Sequence, residues 1–193
     1  MLDLATETAA DRPVIETLLD AAFGSDRQSK RSYAYRTGVA PVAELAWVVR
    51  ESRRAGAPGR IVGSIRYWPV LAGGTRALLL GPLAVDPTRQ GTGIGATLVY
   101  HTIDLAAWGR WPFVLLVGDP AYYRRFGFRP AAPHGLTMPG EQPHRLMVRE
   151  LSTGALEGVA GEVVRWGGGT TAPPHRCTRL HAGGEPSGAS APE

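Results

Sequence analysis

The stretch DPTRQGTGIG, residues 86–95, places an arginine and a glutamine directly before three alternating glycines. It follows a segment with the composition of a strand and precedes one with the apolar spacing of a helix. A glycine-rich turn at the start of a helix presents unpaired backbone N–H groups at the positive end of the helix dipole, and no side chain blocks close approach. The sequence therefore predicts a phosphate-binding turn, with a merely tight turn as the alternative.

Other nucleotide-binding patterns compete for this turn. Gly91, Gly93 and Ala96 fit the dinucleotide fingerprint GxGxxG/A. However, residues 86–90 separate the strand from the first glycine, and Asp119 lies well beyond the roughly 20 residues at which that fold places its acidic residue. A Walker loop is excluded because no lysine follows the glycines. An NAD-dependent oxidoreductase therefore stays open as the lesser alternative.

The composition narrows the classes of function. With 193 residues, of which 44% are hydrophobic, the chain is long enough for one domain with a buried core. The formal net charge is +4, but Lys30 is the sole lysine and the arginines are scattered. This pattern argues against nucleic-acid binding and suits a polyanionic small molecule. Cys177 is the sole cysteine and the five histidines lack ligand spacing, so we expect neither a disulfide nor a metal site.

The sequence shows no targeting pattern. No apolar run approaches the length of a membrane span. The N-terminal MLDLATETAADRP has neither the basic start nor the apolar centre of a signal peptide. We therefore expect a soluble, cytoplasmic protein with no membrane partner.

Apolar spacing predicts a first helix near the N-terminus. Asp11 is expected to cap it and Pro13 to lie in its first turn, with the apolar repeat running to Phe23 and Gly24 ending it. The polar and aromatic segment 25–41 has no clear period and fits either a second helix or a long loop.

Three strands are predicted to follow. Segments 45–51, 61–70 and 76–85 contain β-branched and aromatic residues and are separated by glycine-rich turns, which favours an antiparallel meander. Pro82 interrupts the last of them, and proline cannot donate to a β-ladder. Gly81 and Pro82 therefore predict a bulge or a place where a neighbouring strand pulls away.

The second half alternates helix and strand. A helix is predicted over 96–108, and the continuous apolar segment 113–118 is typical of a strand covered on both faces. In DPAYYRRFGF, Asp119 as cap, Pro120 at the first helical position and Gly127 just past the end predict a short helix.

The remaining elements define the domain boundary. Further strands are predicted at 144–151 and 161–166. Residues 168–193 are rich in Gly, Pro, Thr, Ser and Ala and poor in apolar residues, which predicts a disordered C-terminal tail. The expected domain is therefore 1–167.

The motifs together resemble the GNAT N-acetyltransferases, whose pyrophosphate loop has the pattern Q/R-x-x-G-x-G/A. Gln90, Gly93 and Gly95 match that pattern. The likeness extends to GSIRYWPV and LLLGPLAVDP before the loop and to FVLLVGDPAYYRRFGF after it. Over roughly residues 10 to 166, the chain resembles a YhbS-like branch of the family.

The resemblance implies an α/β (α+β) fold, with a mixed, mostly antiparallel central sheet, splayed central strands and helices on both faces. Acetyl-CoA is then the acyl donor and lies in the V between the splayed strands. The acceptor is an amine, either a small molecule or a protein amino group. The same resemblance leaves a homodimer open.

Site residues follow from the resemblance position by position. Backbone groups of the strand before the loop would pair with the pantetheine arm, namely Leu83, Ala84 and Val85. N–H groups of the loop would hold the pyrophosphate, namely Gln90, Gly91, Thr92, Gly93, Ile94 and Gly95. Arg89 would help neutralise phosphate, with a solvated surface residue as the alternative. Tyr123 occupies the family's general-acid position and would protonate the departing thiolate, with simple aromatic packing as the alternative.

Other roles stay open at this point. Glu44, Asp86 and His134 are weak candidates for the general base. The acceptor pocket could be lined by Tyr33, Tyr35, Trp47, Trp68 and the loop 130–141. A protein with the same fold that binds acyl-CoA without turnover is the main alternative to an enzyme.

Overall fold

The structure is a computed structural model that describes residues 1–52 and 59–167. The tail predicted at 168–193 lies outside the described residues, as does most of the turn that was predicted to follow Ser52. In the described part of the chain, no helix is both long enough and apolar enough to cross a membrane.

An antiparallel meander forms one half of the sheet. Its strands are β1 (Leu2–Thr6), β2 (Trp47–Glu51), β3 (Arg60–Ala72) and β4 (Thr75–Val85), and each pairs with the next. The predicted three-stranded meander is therefore confirmed. β1 was not predicted, and it extends the sheet by one edge strand.

The other elements continue the sheet and cover it. The helices are α1 (Arg12–Phe23), α2 (Ile94–Trp108) and α3 (Pro120–Tyr123). The later strands are β5 (Phe113–Val117), β6 (Arg129–Pro130), β7 (Leu136–Thr137), β8 (Leu146–Glu150) and β9 (Gly161–Arg165). Within the described ranges the strand order is β1-β2-β3-β4-β5-β8-β6, and β9 joins the end of β3 while pairing with β7. The predicted mixed, mostly antiparallel sheet is confirmed.

The helices lie on both faces of the sheet. α1 packs Ile15 and Leu19 against a small cluster on one face that includes Val48. α2 packs Leu98 on the opposite face, against a larger cluster that includes Val49. Neighbouring strand residues point to opposite faces, so the alternation in β2 assigns each helix its own side. Burial on both faces explains why β5 is a continuous apolar run, as predicted.

A bulge in β4 lies at the predicted position. Tyr67 of β3 pairs with Leu80, but Ile65 pairs with Leu83, so Gly81 and Pro82 together oppose a single residue of β3. The extra residue keeps the side chains of both Leu80 and Leu83 on the α2 face, which a regular strand with a two-residue period could not do. The bulge therefore carries one apolar face past the proline.

Beyond the bulge, β4 separates from β5. The two strands are parallel, and their pairing is limited to Leu78 with Val114 and Leu79 with Leu115. β4 then runs on to Val85 without β5 beside it. The carboxyl ends of the two central strands are therefore splayed, and a groove opens between them.

One local prediction was wrong, and one alternative that the sequence left open is decided. Asp11 makes no side-chain cap on α1. Its carboxylate instead accepts hydrogen bonds from the backbone and hydroxyl of Thr8 and pairs with Arg50 at 2.6 Å. Segment 25–41 forms no second α-helix, and short 3₁₀ turns at Arg27–Ser29 and Arg31–Tyr35 lead into an irregular loop.

Candidate active site

A groove of about 440 Å³ lies in the opening between β4 and β5, and we call it the loop groove. Its walls are the end of β4, the glycine-rich turn, the start of α2, and α3 with the turn after it. Eight of the residues that the resemblance assigned to cofactor binding line it, namely Leu83, Val85, Arg89, Gln90, Gly91, Gly93, Ile94 and Gly95. Tyr122, Tyr123 and Arg125 line its other side.

The glycines of the turn have two different structural roles. Gly91 and Gly93 have φ angles of 78° and 89°, in the left-handed region that favours glycine. A Cβ added to either would meet no protein atom within 4 Å, so the space in front of both is open. Gly95 has ordinary helical geometry, but a Cβ there would lie 2.8 Å from the Tyr122 hydroxyl oxygen. The first two glycines therefore shape an accessible backbone, whereas Gly95 allows α3 to lie close to α2.

Two of the assigned residues do not line the groove. Ala84 is 1% exposed and packs toward α1, because its side chain alternates with those of its neighbours along β4. The Thr92 hydroxyl donates to the Arg89 carbonyl at 2.6 Å and so stabilises the turn itself. Their predicted contacts with the cofactor were backbone contacts, and these stay predictions.

The cations of the groove differ in their partners. Arg89 pairs with Glu51 at 2.9 Å, so its charge is partly compensated without a ligand. Arg125 stacks over the Tyr122 ring at 4.8 Å and donates from Nε to the Tyr122 carbonyl. Sequence reasoning missed Arg125, which follows Tyr122 on the next turn of chain and so reaches the same groove. Both guanidinium groups lie where an anionic ligand would enter.

Tyr123 is positioned by the short helix α3. The Asp119 carboxylate accepts from the Ala121 N–H at 2.9 Å and begins the helix, and Gly127 ends the following turn in the left-handed conformation, as predicted. The Tyr123 ring packs edge-on against Tyr122 at 5.0 Å. Burial is the main cause that raises the pKa of Tyr123, because phenolate is poorly solvated there. The hydroxyl therefore stays protonated at neutral pH.

A second cavity, of about 580 Å³, lies on the other side of Tyr123, and we call it the basic cavity. Its cationic lining residues are Lys30, Arg31, Arg36 and Arg145, and its acidic ones are Asp119 and Glu141. Two of the predicted acceptor-pocket candidates line it, namely Tyr33 and the end of the loop 130–141. Tyr35, Trp47 and Trp68 do not line it.

The three candidate bases lie away from both cavities. Glu44 lines a separate cavity near Trp111. Asp86 is held by hydrogen bonds from Thr88, which together with Arg60 lower its pKa. His134 is exposed on the turn before β7. None of the three is therefore placed to receive a proton from a molecule bound beside Tyr123.

The two cavities share part of their lining. Leu83 and Tyr123 belong to both the loop groove and the basic cavity. The groove and the cavity therefore adjoin at the end of the interrupted strand, with Tyr123 between them. This arrangement brings together residues from the bulge in β4 and from α3, which are far apart in sequence.

Sequence reasoning missed Arg36 and Glu141 as individual site residues. Arg36 lies in the segment whose structure was left open, and Glu141 ends a long loop of short turns. They enter one cavity only because both segments fold over the same end of the sheet. No local pattern of residues marks that contact.

Comparisons with known proteins agree with this geometry. Residues 43–130 match the family described as "Acetyltransferase (GNAT) domain". The protein named "Uncharacterized N-acetyltransferase YhbS", from Escherichia coli strain K12, is 33% identical over 164 residues, which cover 83% of this chain and 93% of that protein. The crystal structure of YhbS from Escherichia coli in complex with CoA has a TM-score of 0.73 at 31% identity, and covers 86% of this chain and 89% of that one.

A second solved structure extends the likeness in fold. It is a GNAT family acetyltransferase from Brucella melitensis in complex with acetyl-CoA, with a TM-score of 0.63, 24% identity, and coverage of 86% of this chain and 97% of that one. At this identity the likeness shows the fold alone.

The match to the acetyltransferase domain and the fold shared with YhbS place the chain in the coenzyme A-dependent class of acyltransferases. The 33% sequence identity to YhbS, over most of both chains, narrows this class to one family. The chain belongs to the GNAT family of N-acetyltransferases, enzymes that act on an amine acceptor.

Proposed function

We propose that this chain transfers the acetyl group of acetyl-CoA to a primary amine by direct attack, with the cofactor in the loop groove and the amine in the basic cavity. The observation that carries the proposal is the shared lining of the two cavities by Leu83 and Tyr123. A thioester that reaches along the groove and an amine that enters from the cavity meet beside Tyr123. The YhbS structure in complex with CoA supports this use of the groove.

The proposed cofactor contacts are mostly backbone contacts. N–H groups of residues 90–95, at the start of α2, hold the pyrophosphate, and the open space before Gly91 and Gly93 supports this. Arg89 and Arg125 add positive charge at the groove wall. The pantetheine arm lies along residues 83–85, where β4 has lost β5 as a neighbour. An unpaired strand edge supplies N–H and C=O groups for that arm.

The proposed chemistry has three steps. The neutral amine nitrogen attacks the thioester carbonyl carbon to form a tetrahedral oxyanion, and the nitrogen, which becomes cationic on attack, loses one proton. The C–S bond then breaks, and the CoA thiolate takes the proton of the Tyr123 hydroxyl. Glu141 is the proposed acceptor of the amine proton, directly or through water, because Asp119, the other cavity carboxylate, is used as the cap of α3. Water then carries this proton from Glu141 to the Tyr123 phenolate, so that both groups return to their starting state.

We further propose that residues 1–167 form the catalytic domain. The described residues that line the loop groove and the basic cavity all lie within it. A cavity of about 580 Å³ lies in the usual range for small-molecule sites, which favours a small amine over a protein amino group.

The decisive experiment combines ligand binding with turnover. Acetyl-CoA is expected to raise the Tm of the full chain by mass action, whereas NAD is expected to leave it unchanged. A panel of small amines with acetyl-CoA is then expected to release free thiol. Stabilisation by NAD but not by acetyl-CoA would contradict the proposal. Stabilisation by acetyl-CoA without thiol release from any amine or from peptides would instead favour a binding module.

A further inference from the structure

Arg36 is a half-buried arginine whose side chain is held by aromatic rings. Its guanidinium lies over the ring of Tyr33 at 4.6 Å and over the ring of Trp68 at 5.3 Å. Its Nε atom is buried and has no hydrogen-bond partner in the described part of the chain. Stacking orients the guanidinium plane but leaves the buried Nε donor without a partner.

Two arginines that are more deeply buried than Arg36 are paired with carboxylates. Arg27, 3% exposed, pairs with Glu16 and Asp20. Arg66, 8% exposed, pairs with Glu7 and Glu16. Within residues 1–52 and 59–167, no carboxylate lies within 4.0 Å of Arg36. The contrast shows that a counterion is the usual solution in this chain, and Arg36 lacks one.

Arg36 keeps its charge in spite of this burial. Desolvation lowers the pKa of Arg36 to about 10, and the nearby Tyr33 and Glu141 oppose that effect. The guanidinium is therefore still protonated at neutral pH. A buried charge without a partner is costly, so an anion that enters the site would recover that cost by pairing with it.

The charge faces the same cavity as Tyr123. Arg36 Nη2 would lie 3.2 Å from a Cβ built on Gly81, so the guanidinium lies against the bulge in β4. Lys30, Arg31 and Arg145 line the same cavity. Against these four cations the described lining has two carboxylates, of which Asp119 caps α3. The cavity thus has an excess of positive charge where a simple cationic amine would be repelled.

We propose that the acceptor is an amine that also bears a carboxylate, and that the Arg36 guanidinium binds this carboxylate while the amino group faces Tyr123. The proposal rests on the acetyltransferase function proposed above and specifies its substrate class. A guanidinium fork matches a carboxylate in a bidentate geometry, and the flanking rings hold the fork in place. Glu141, on the same wall, offers the complementary charge for the amino group.

The test compares matched ligands that differ only in that charge. Probes are α-amino acids and ω-amino acids from glycine to 6-aminohexanoate, each beside its own carboxamide. Wild type is expected to favour the carboxylate in kcat/KM by roughly 10- to 100-fold for the best chain length. Calorimetry with the N-acetylated carboxylate and the N-acetylated carboxamide, in the presence of CoA, measures the same preference without any turnover.

Variants assign the preference to one residue. Arg36→Met is expected to bring the carboxylate-to-carboxamide ratio close to one. Arg36→Lys, which retains the charge without the fork, is expected to give an intermediate ratio and serves if the methionine variant does not fold. The matched control is Arg76→Met, since Arg76 also has a buried, unpartnered Nε and stacks on Trp111 at 3.7 Å, but lines a different cavity. Its ratio is expected to stay at the wild-type value.

The outcomes separate this proposal from the function on which it rests. Thiol release with equal preference for carboxylate and carboxamide would overturn the role of Arg36 while the acetyltransferase function stands. A wild-type preference that survives in both Arg36 variants would do the same. Absence of thiol release from every amine would count against the function, and in that case the calorimetric ratio still decides whether Arg36 binds a carboxylate.

Discussion

The hydroxyl oxygen of Tyr122 lies in the space that a side chain on Gly95 would occupy, at the point where α3 meets the first turn of α2. A Cβ on Gly95 would be 2.8 Å from that oxygen, and its next neighbour, Val85 Cγ2, would be 3.5 Å away. The contact couples the glycine-rich turn at the start of α2 to the helix that holds Tyr123. One oxygen atom therefore decides whether alanine is tolerated at position 95.

Gly95→Ala is expected to destabilise the wild-type chain by about 1 kcal/mol, because the methyl and the hydroxyl cannot occupy their places together. In a Tyr122→Phe background the oxygen is gone, and the preference of helices for alanine makes the same change neutral or stabilising. Urea unfolding without ligand measures the coupling, expected to be about 1 kcal/mol. Tyr100→Phe is the control background, since Tyr100 is exposed on α2. If the stability changes of Gly95→Ala and Tyr122→Phe simply add, the contact is disproved.

Tyr123→Phe keeps the ring and removes the hydroxyl proposed as the acid. The single-turnover rate of acetyl transfer is expected to fall by about 100-fold, at the low end for general-acid catalysis, because a thiolate is already a tolerable leaving group. CoA affinity by calorimetry is expected to stay the same. Tyr100→Phe, the matched surface change, is expected to keep the wild-type rate, and an equal rate in Tyr123→Phe would remove Tyr123 as the acid.

The raised pKa of Tyr123 gives a pH dependence with a definite sign. The acid acts in its protonated form, so its contribution is present below its pKa and is lost as pH rises through a value above the ordinary one of about 10. The single-turnover rate is expected to rise from about pH 6 to about pH 9 as the acceptor amine loses its proton, and to show no fall below about pH 10. A descending limb that begins near neutral pH would show that another group is the acid.

Gly93→Val tests the phosphate turn against a matched glycine. Gly93 and Gly74 both have positive φ angles, 89° and 79°, and a Cβ on either would meet nothing within 4 Å. Valine at either position is expected to cost roughly 1–3 kcal/mol of stability from backbone strain. Only Gly93→Val is expected to weaken CoA binding beyond that, because Gly74 lies in the turn between β3 and β4. Equal CoA affinities in the two folded variants would make the turn purely structural.

A chain that ends at Gly167 tests the proposed domain boundary. The described lining of both cavities comes from earlier residues, so the shortened protein is expected to bind CoA and to acetylate with wild-type constants. Calorimetry and thiol release on the full and shortened chains measure this. A folded but inactive shortened chain would show that residues 168–193 take part in the site.

Elements whose signals are local could be predicted from the sequence. The cap, proline and terminal glycine of α3 act within ten residues, and the glycines of the loop mark their own turn. The bulge followed from one property of Pro82, its missing N–H. Each of these rests on backbone chemistry that needs no distant partner.

Elements that depend on distant partners could not be predicted. Asp11 has the residue type of a helix cap, but Arg50, 39 positions later in sequence, competes successfully for its carboxylate. β1 is a short, partly exposed strand that pairs with β2, a partner distant in sequence. Arg36 lies in a polar, aromatic segment without a clear period, and only the folded chain places it against Gly81. Tertiary contacts decide all three cases.

The bulge at Gly81 and Pro82 also constrains how the chain can change in length. Side chains of a strand alternate between its two faces with a period of two residues. The bulge adds one residue and shifts that alternation by one position between Leu80 and Leu83. Loss of one residue there would turn Leu83 and Val85 away from the groove and bring Ala84 into it. Insertions and deletions in β4 are therefore tolerated only in pairs, whereas the surface loops have no such parity.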